Sequence, residues 1–278
     1  MQNEFAVFIV THGRPYTQKT LESLRAQGYT GDIWLVVDNE DNTRYKLYES
    51  YIHAYSHNYM WTFNKQYWVH RTECIVNTKS KATPVFARNA SVELAKNMKY
   101  KYFAIMDDDV YNFSLKYEDE GHLRTHKIQN LDKLFSACCA FIDCGADLIT
   151  FSERSTYFCG LKSQNMQKKI LRTQMTHVFI MPTSTDITFT GSIFEDLLIE
   201  LYQNAIGRYV IRLGEICYDT PPMMSEKGGL EDVYKELDLN NFIPWLTYFP
   251  SAGCRIDDNS KWHLMRIDNC PRLLHEIL

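Results

Sequence analysis

Tyr102-Phe103-Ala104-Ile105-Met106-Asp107-Asp108-Asp109 is the stretch on which the reading of this chain turns. An apolar run passes directly into three carboxylates, which predicts a buried strand over residues 102–106 with the charges at its end. Open α/β sheets bind ligands at the carboxyl ends of their strands. In an extended backbone Asp107 and Asp109 point the same way, so one hard cation, Mn²⁺ or Mg²⁺, can draw them together and take diphosphate oxygens as its remaining ligands. Without a cation the cluster repels itself, and the plain alternative is a turn rich in capping residues.

Working outward, the upstream half alternates apolar bursts with helical patterns. Strands are expected at residues 5–11, 33–38 and near 60–64. Helices are expected at 16–27, closed by Gly28, at about 42–51, and from Pro84 to about 97, where a missing N–H in the first turn costs nothing. This alternation predicts an α/β sheet wound with crossover helices. Downstream the pattern is less regular. It predicts a helix over 131–144, strands at 147–151, 177–181 and 186–190, helices at 193–204 and 230–237, and a loop-rich tail from 251. No internal repeat or linker interrupts the 278 residues, so one domain is expected.

Composition removes several classes. With 18 Tyr and 15 Phe the chain is that of a folded enzyme. Its eight cysteines form no C-x-x-C pair, and the first apolar run, residues 5–10, is short and without a basic flank. No segment reaches membrane-spanning length, and the location expected is the cytoplasm. The net charge of −4 does not advertise nucleic acid, yet residues 154–185 hold no acid and five cations, Arg154, Lys162, Lys168, Lys169 and Arg172. After the first strand stands Thr11-His12-Gly13-Arg14-Pro15 rather than G-x-G-x-x-G; a P-loop, H-E-x-x-H and G-x-S-x-G are also absent.

A family resemblance enters here. The first strand, the second-strand acid Asp38 and the Asp107–Asp109 cluster fall in the order of the GT-A glycosyltransferases. More narrowly, residues 5–15, Val37-Asp38-Asn39-Glu40-Asp41 and Phe86-Ala87-Arg88-Asn89-Ala90 resemble the TET/JBP-associated glycosyltransferases of phages and other organisms. The resemblance implies a Rossmann-like central mixed sheet flanked by helices, with residues 1–110 as the nucleotide-binding half and 111–278 as the acceptor-binding half. It implies a metal-dependent, inverting hexosyl- or pentosyltransferase with a nucleotide-sugar donor of UDP-sugar type. The acceptor implied is DNA, at the 5-hydroxymethyl group of a modified pyrimidine, in the host cytoplasm if the chain is phage-encoded. No membrane partner is implied.

The same resemblance distributes roles. Thr11, Arg14 and Asp38 would surround base and ribose, as a carboxylate accepts from N–H or hydroxyl groups and a guanidinium stacks or pairs. Arg88 and Asn89, near a helix start, would hold the diphosphate, and Asp108 would lie on the donor side. Asp107 and Asp109 would bind the metal with His263 as third ligand, although Trp262 stands where members of the family carry a second histidine. Inverting transfer needs a carboxylate to take the acceptor's proton. Glu195-Asp196, in a Gly-x-x-x-Glu-Asp element from Gly191, supplies it, with Asp196 as base. Gly228-Gly229-Leu230-Glu231-Asp232 would lie on the acceptor side. Tyr55, Tyr59, Trp61 and Trp68 would offer stacking for a flipped or single-stranded base, or belong to the core. Other readings remain: the same enzyme acting on a glycan, protein or small molecule, a silent nucleotide-sugar-binding module, or a nucleotidyltransferase.

Overall fold

The structure, a computed structural model, describes residues 4–74, 83–163, 166, 177–191, 195–222, 254–256 and 265–267. Strand β1 (Phe5–Val10) is buried along its whole length. Phe5, Val7 and Ile9 pack on one face with α1 (Lys19–Ala26) and α5 (Leu131–Asp143). Ala6, Phe8 and Val10 pack on the other with α4 (Val85–Asn97). Cover on both faces is why the run is continuously apolar rather than alternating.

The first half follows the expected winding. β1 pairs in parallel with β2 (Asp32–Asp38), and β2 with β3 (Asn58–Phe63). Between them lie α2 (Arg44–Leu47), which runs on into a π turn at Tyr48–Ile52, and after β3 the short α3 (Lys65–Val69). The chain then crosses back through α4, and β4 (Tyr102–Asp107) pairs in parallel on the opposite side of β1. The winding direction therefore reverses between β1 and β4, which opens a crevice at their carboxyl ends. α1 stops at Gly28, whose φ of +81° suits the left-handed cap, and a Cβ there would meet the Gln129 carbonyl oxygen at 2.6 Å.

Beyond β4 the nine-stranded sheet, which begins β3-β2-β1-β4, becomes mixed and continues through β8 (Val178–Pro182), β7 (Leu148–Glu153), β9 (Val210–Asp219), β5 (Tyr111–Asp119) and β6 (His122–Lys127) in that order. β8 runs antiparallel to β4, while β7 and β9 are parallel to each other. β5 and β6 form an edge hairpin. Its two-residue loop, Glu120-Gly121, has φ of +49° and +77°, the geometry of the primed turns that match strand twist. α5 buries Leu131, Phe135, Cys138, Cys139 and Ile142 as one stripe, and Asn130 caps it by accepting from the Lys133 N–H at 3.0 Å.

Three expectations are corrected. Residues 16–18 are not helical, because Gln18 donates to the Thr11 hydroxyl at 2.9 Å and to the Arg14 carbonyl at 3.1 Å. Residues 186–190 are not a strand. The Asn89 side chain stands in for a neighbouring strand, accepting from Phe189 N–H at 2.8 Å and donating to Phe189 C=O at 2.9 Å. The hairpin β5–β6 and strand β9 were not foreseen. α6 (Glu195–Ala205) and the isolated pair β10 (Cys254–Ile256) and β11 (Met265–Ile267) complete the described elements. No described helix is long and apolar enough to cross a membrane.

Candidate active site

The crevice between β1 and β4 is lined by the loops that follow those strands. Thr11 donates its hydroxyl proton to Asp108 Oδ2 at 2.5 Å, and Arg14 Nη1 donates to Asp108 Oδ1 at 2.5 Å while lying 3.4 Å from Asp109 Oδ2. The start of α1 latches the turn: Thr20 Oγ1 donates to the Asp107 carbonyl at 2.5 Å and accepts from Val110 N–H at 2.8 Å. Asp108 is buried, and desolvation pushes its carboxyl up to about 7, against the Arg14 charge and the Thr11 hydrogen bond. Thr11, Arg14 and Asp108, expected around the donor, are thus turned toward one another.

Asp107 faces the other way. Arg88 Nη2 donates to Asp107 Oδ1 at 2.8 Å and Nη1 donates to Glu195 Oε1 at 2.5 Å, joining α4, β4 and α6 in one buried network. The guanidinium lies over the Phe179 and Phe189 rings, 4.7 and 5.8 Å from their centroids. Nδ1 of His177 lies 2.6 Å from Asp107 Oδ2. Burial opposes ionisation of Asp107, but the Arg88 charge and His177 outweigh it and hold the carboxyl well below its ordinary range. Burial likewise opposes charge on His177, and Asp107 overcomes it, raising the imidazole to about 9. Burial pushes Glu195 up to about 7.

Arg88 is 2% exposed and Asn89 5%, so neither presents an open surface to a diphosphate. Asn89 holds the backbone of Phe189 instead. Within the Glu195-Asp196 pair, Glu195 is buried against Arg88 and Asp196, in the same first turn of α6, is partly exposed.

At the ends of β1 and β2, two carboxylates sew the loops together. Nδ1 of His12 lies 2.6 Å from Asp38 Oδ2, and Asp38 Oδ1 accepts from Glu40 N–H at 2.9 Å. Asp41 Oδ2 accepts from Gly13 N–H at 2.8 Å, and its Oδ1 accepts from the backbone and hydroxyl of Thr43, both at 2.7 Å. The hydrogen bond to Asp38 raises the His12 pKa despite partial burial.

His12, His177 and Asp41 were missed as site residues in the sequence. His12 had a signal, since it directly follows a parallel strand at its ligand end. His177 had none, because its place depends on β8 lying antiparallel to β4, with Asp107 N–H donating to the His177 carbonyl at 3.2 Å.

Asp107 and Asp109 are the donor type a hard cation takes, and a cation at Asp107 would share that carboxylate with Arg88 and His177. Among the described residues no group of three His, Cys, Asp or Glu side chains is arranged to hold a metal ion. His263, the Glu231-Asp232 pair and most of the basic stretch, including Lys168, Lys169 and Arg172, lie outside the described residues. Of the aromatic candidates, Tyr59 stacks on Trp34 at 4.7 Å, while Trp61 and Trp68 pack against the α4 side of the core, as the core reading expected. Tyr55 is exposed.

No curated protein matches the chain. Among solved structures it is similar to one described as a nucleotide-diphospho-sugar transferase of Desulfovibrio desulfuricans G20. That likeness covers 90% of this chain and 96% of the other, at 7% identity and a TM-score of 0.43. The family model of the TET-Associated Glycosyltransferases matches residues 5–229. With its mixed α/β sheet and a match over most of its length, the chain belongs to the TET-associated glycosyltransferase family.

Proposed function

We propose that the chain transfers a sugar from a nucleoside diphosphate, a UDP-sugar, to the 5-hydroxymethyl group of a modified pyrimidine in phage DNA, in a metal-dependent reaction with inversion. One observation carries this reading: the Asp107–Asp109 turn lies at the reversal between β1 and β4, with Asp196 in the first turn of a helix tied to it through Glu195 and Arg88. Residues 1–110 form the donor half and residues 111–278 the acceptor half.

Asp107 and Asp109 would hold the cation, with His263 as third ligand, and the ion would neutralise the leaving diphosphate. Arg88 and His177 keep Asp107 anionic and aimed. Asp196 takes the acceptor hydroxyl's proton as the new oxygen–carbon bond forms, and the electron pair of the broken sugar–phosphate bond leaves with the diphosphate. Glu195, engaged by Arg88, positions that helix turn. Arg154 and Lys162 begin the basic stretch that would meet the DNA backbone.

The test supplies UDP-sugars, Mn²⁺ and hydroxymethylated DNA and measures the mass gain of the nucleoside. Transfer that Asp196→Ala abolishes supports the reading. The net charge of −4 favours, as a second reading, an acceptor other than DNA. Donor turnover without any DNA product or gel shift at moderate salt would select it.

A further inference from the structure

We propose that His12, held by Asp38, is the group that reads the nucleoside of the donor, and that Asp38 positions it rather than touching the donor itself. The inference rests on the nucleotide-sugar reading above and names the contact within that cleft. Both oxygens of Asp38 are already engaged, Oδ2 by His12 and Oδ1 by Glu40 N–H, and the residue is 6% exposed. Thr11 and Arg14 are turned onto Asp108. The three side chains expected around base and ribose are therefore committed elsewhere, and the His12 ring, 32% exposed, stands at that end of the crevice.

Its geometry is fixed from behind. Gly13 N–H bonded to Asp41 pins the backbone, and Gly13, at φ +69°, leaves open space where a Cβ would stand. With Nδ1–H directed at the Asp38 carboxylate, the neutral ring carries its lone pair on Nε2. Among the described residues that nitrogen has no hydrogen-bond partner. It accepts from a ligand that donates. A uridine diphosphate brings two such groups, the imide N–H of uracil and the ribose hydroxyls; a cytidine diphosphate keeps the hydroxyls but has an acceptor in place of the imide N–H, its base donor being the exocyclic amine. The groups facing the ring are Asp38, Asp41 and Lys65.

Calorimetric titration of UDP, CDP and inorganic pyrophosphate into the full chain and into His12→Ala, His12→Gln and Asp38→Asn tests this, at a pH above the imidazole range. His12→Ala should weaken UDP by about tenfold, the scale of one hydrogen bond, and leave pyrophosphate unchanged. His12→Gln, which can return an acceptor oxygen near the Nε2 position, should restore part of the loss. Asp38→Asn should weaken UDP in the same direction but less. If the imide N–H is the contact, CDP binds the wild type about tenfold more weakly and is indifferent to His12→Ala; if the ribose is, both nucleotides lose equally. UDP binding that ignores His12→Ala overturns the inference alone. A fall in kcat with UDP affinity intact also overturns it, since it would make His12 a base. Failure of every nucleotide to bind the wild type overturns both this and the donor reading.

Discussion

Asp107 and Asp108 leave one strand end toward two different neighbourhoods. Asp107 meets Arg88 and His177 and is held anionic well below the usual carboxylate range. Asp108 meets Thr11 and one guanidinium, and burial pushes it up to about 7. The difference lies in how much countercharge reaches each carboxylate against similar desolvation. A carboxylate that stays ionised meets the first requirement of a metal ligand, and a metal there would have to compete with Arg88 and His177 for it; a buried group near neutrality suits a clasp that ties the β1 loop to β4. Three like residues in a row therefore divide their labour.

The comparison breaks most sharply at Asp107. Asp107→Ala should lower kcat/KM by about 10³-fold or more, because a charge that holds the diphosphate's counterion is removed from the site. Asp108→Asn should cost less than about tenfold, as an amide still bonds to Thr11 and Arg14. Equal losses in the two variants would dissolve the distinction.

Arg88→Met comes next in size. It removes the shared partner of Asp107 and Glu195 in a buried network, and breaking such a network from one side costs about 3–5 kcal/mol. Denaturant unfolding measures it; a loss below about 1 kcal/mol would mean that the network is looser than the geometry indicates.

The smallest effect is pH-dependent and opposite in sign for the two carboxylates, measured with a chelator present. Asp107, depressed in the fold, contributes stability that is present above its unfolded pKa and lost as pH falls through its folded value. Asp108, raised in the fold, contributes stability that is full below its unfolded pKa and lost as pH rises through about 7. Relative to wild type, Asp108→Asn should therefore gain stability as pH rises from about 4 to about 8. The Asp107 contribution changes only below about pH 4, so loss of its charge in Asp107→Asn should by itself add no slope between about pH 4 and 8.

How much was legible in advance follows from where each signal resides. β1 and β4 are covered on both faces, so their sequences are unbroken apolar runs and their ends could be read directly. The hairpin β5–β6 carries a half-exposed pattern closed by Glu-Gly rather than Asn-Gly, and its pairing shows only in three dimensions. Residue type and spacing at Asp107 and Asp109 are what carry the metal-site proposal. That Arg88 would turn inward to Glu195, 107 positions away, was not legible, since nothing local distinguishes an arginine facing a phosphate from one facing a carboxylate. His177 belongs with it: a lone histidine before a strand says nothing until its antiparallel neighbour is known.

The central claim is that the Asp107–Asp109 turn binds a nucleoside diphosphate through a divalent cation. Titrating UDP into the chain with and without Mn²⁺, and into the Asp107→Asn/Asp109→Asn double variant, tests it most directly. The account predicts binding that manganese tightens by at least about tenfold and a gain that the double variant loses. Binding that ignores both the metal and the two substitutions would contradict it.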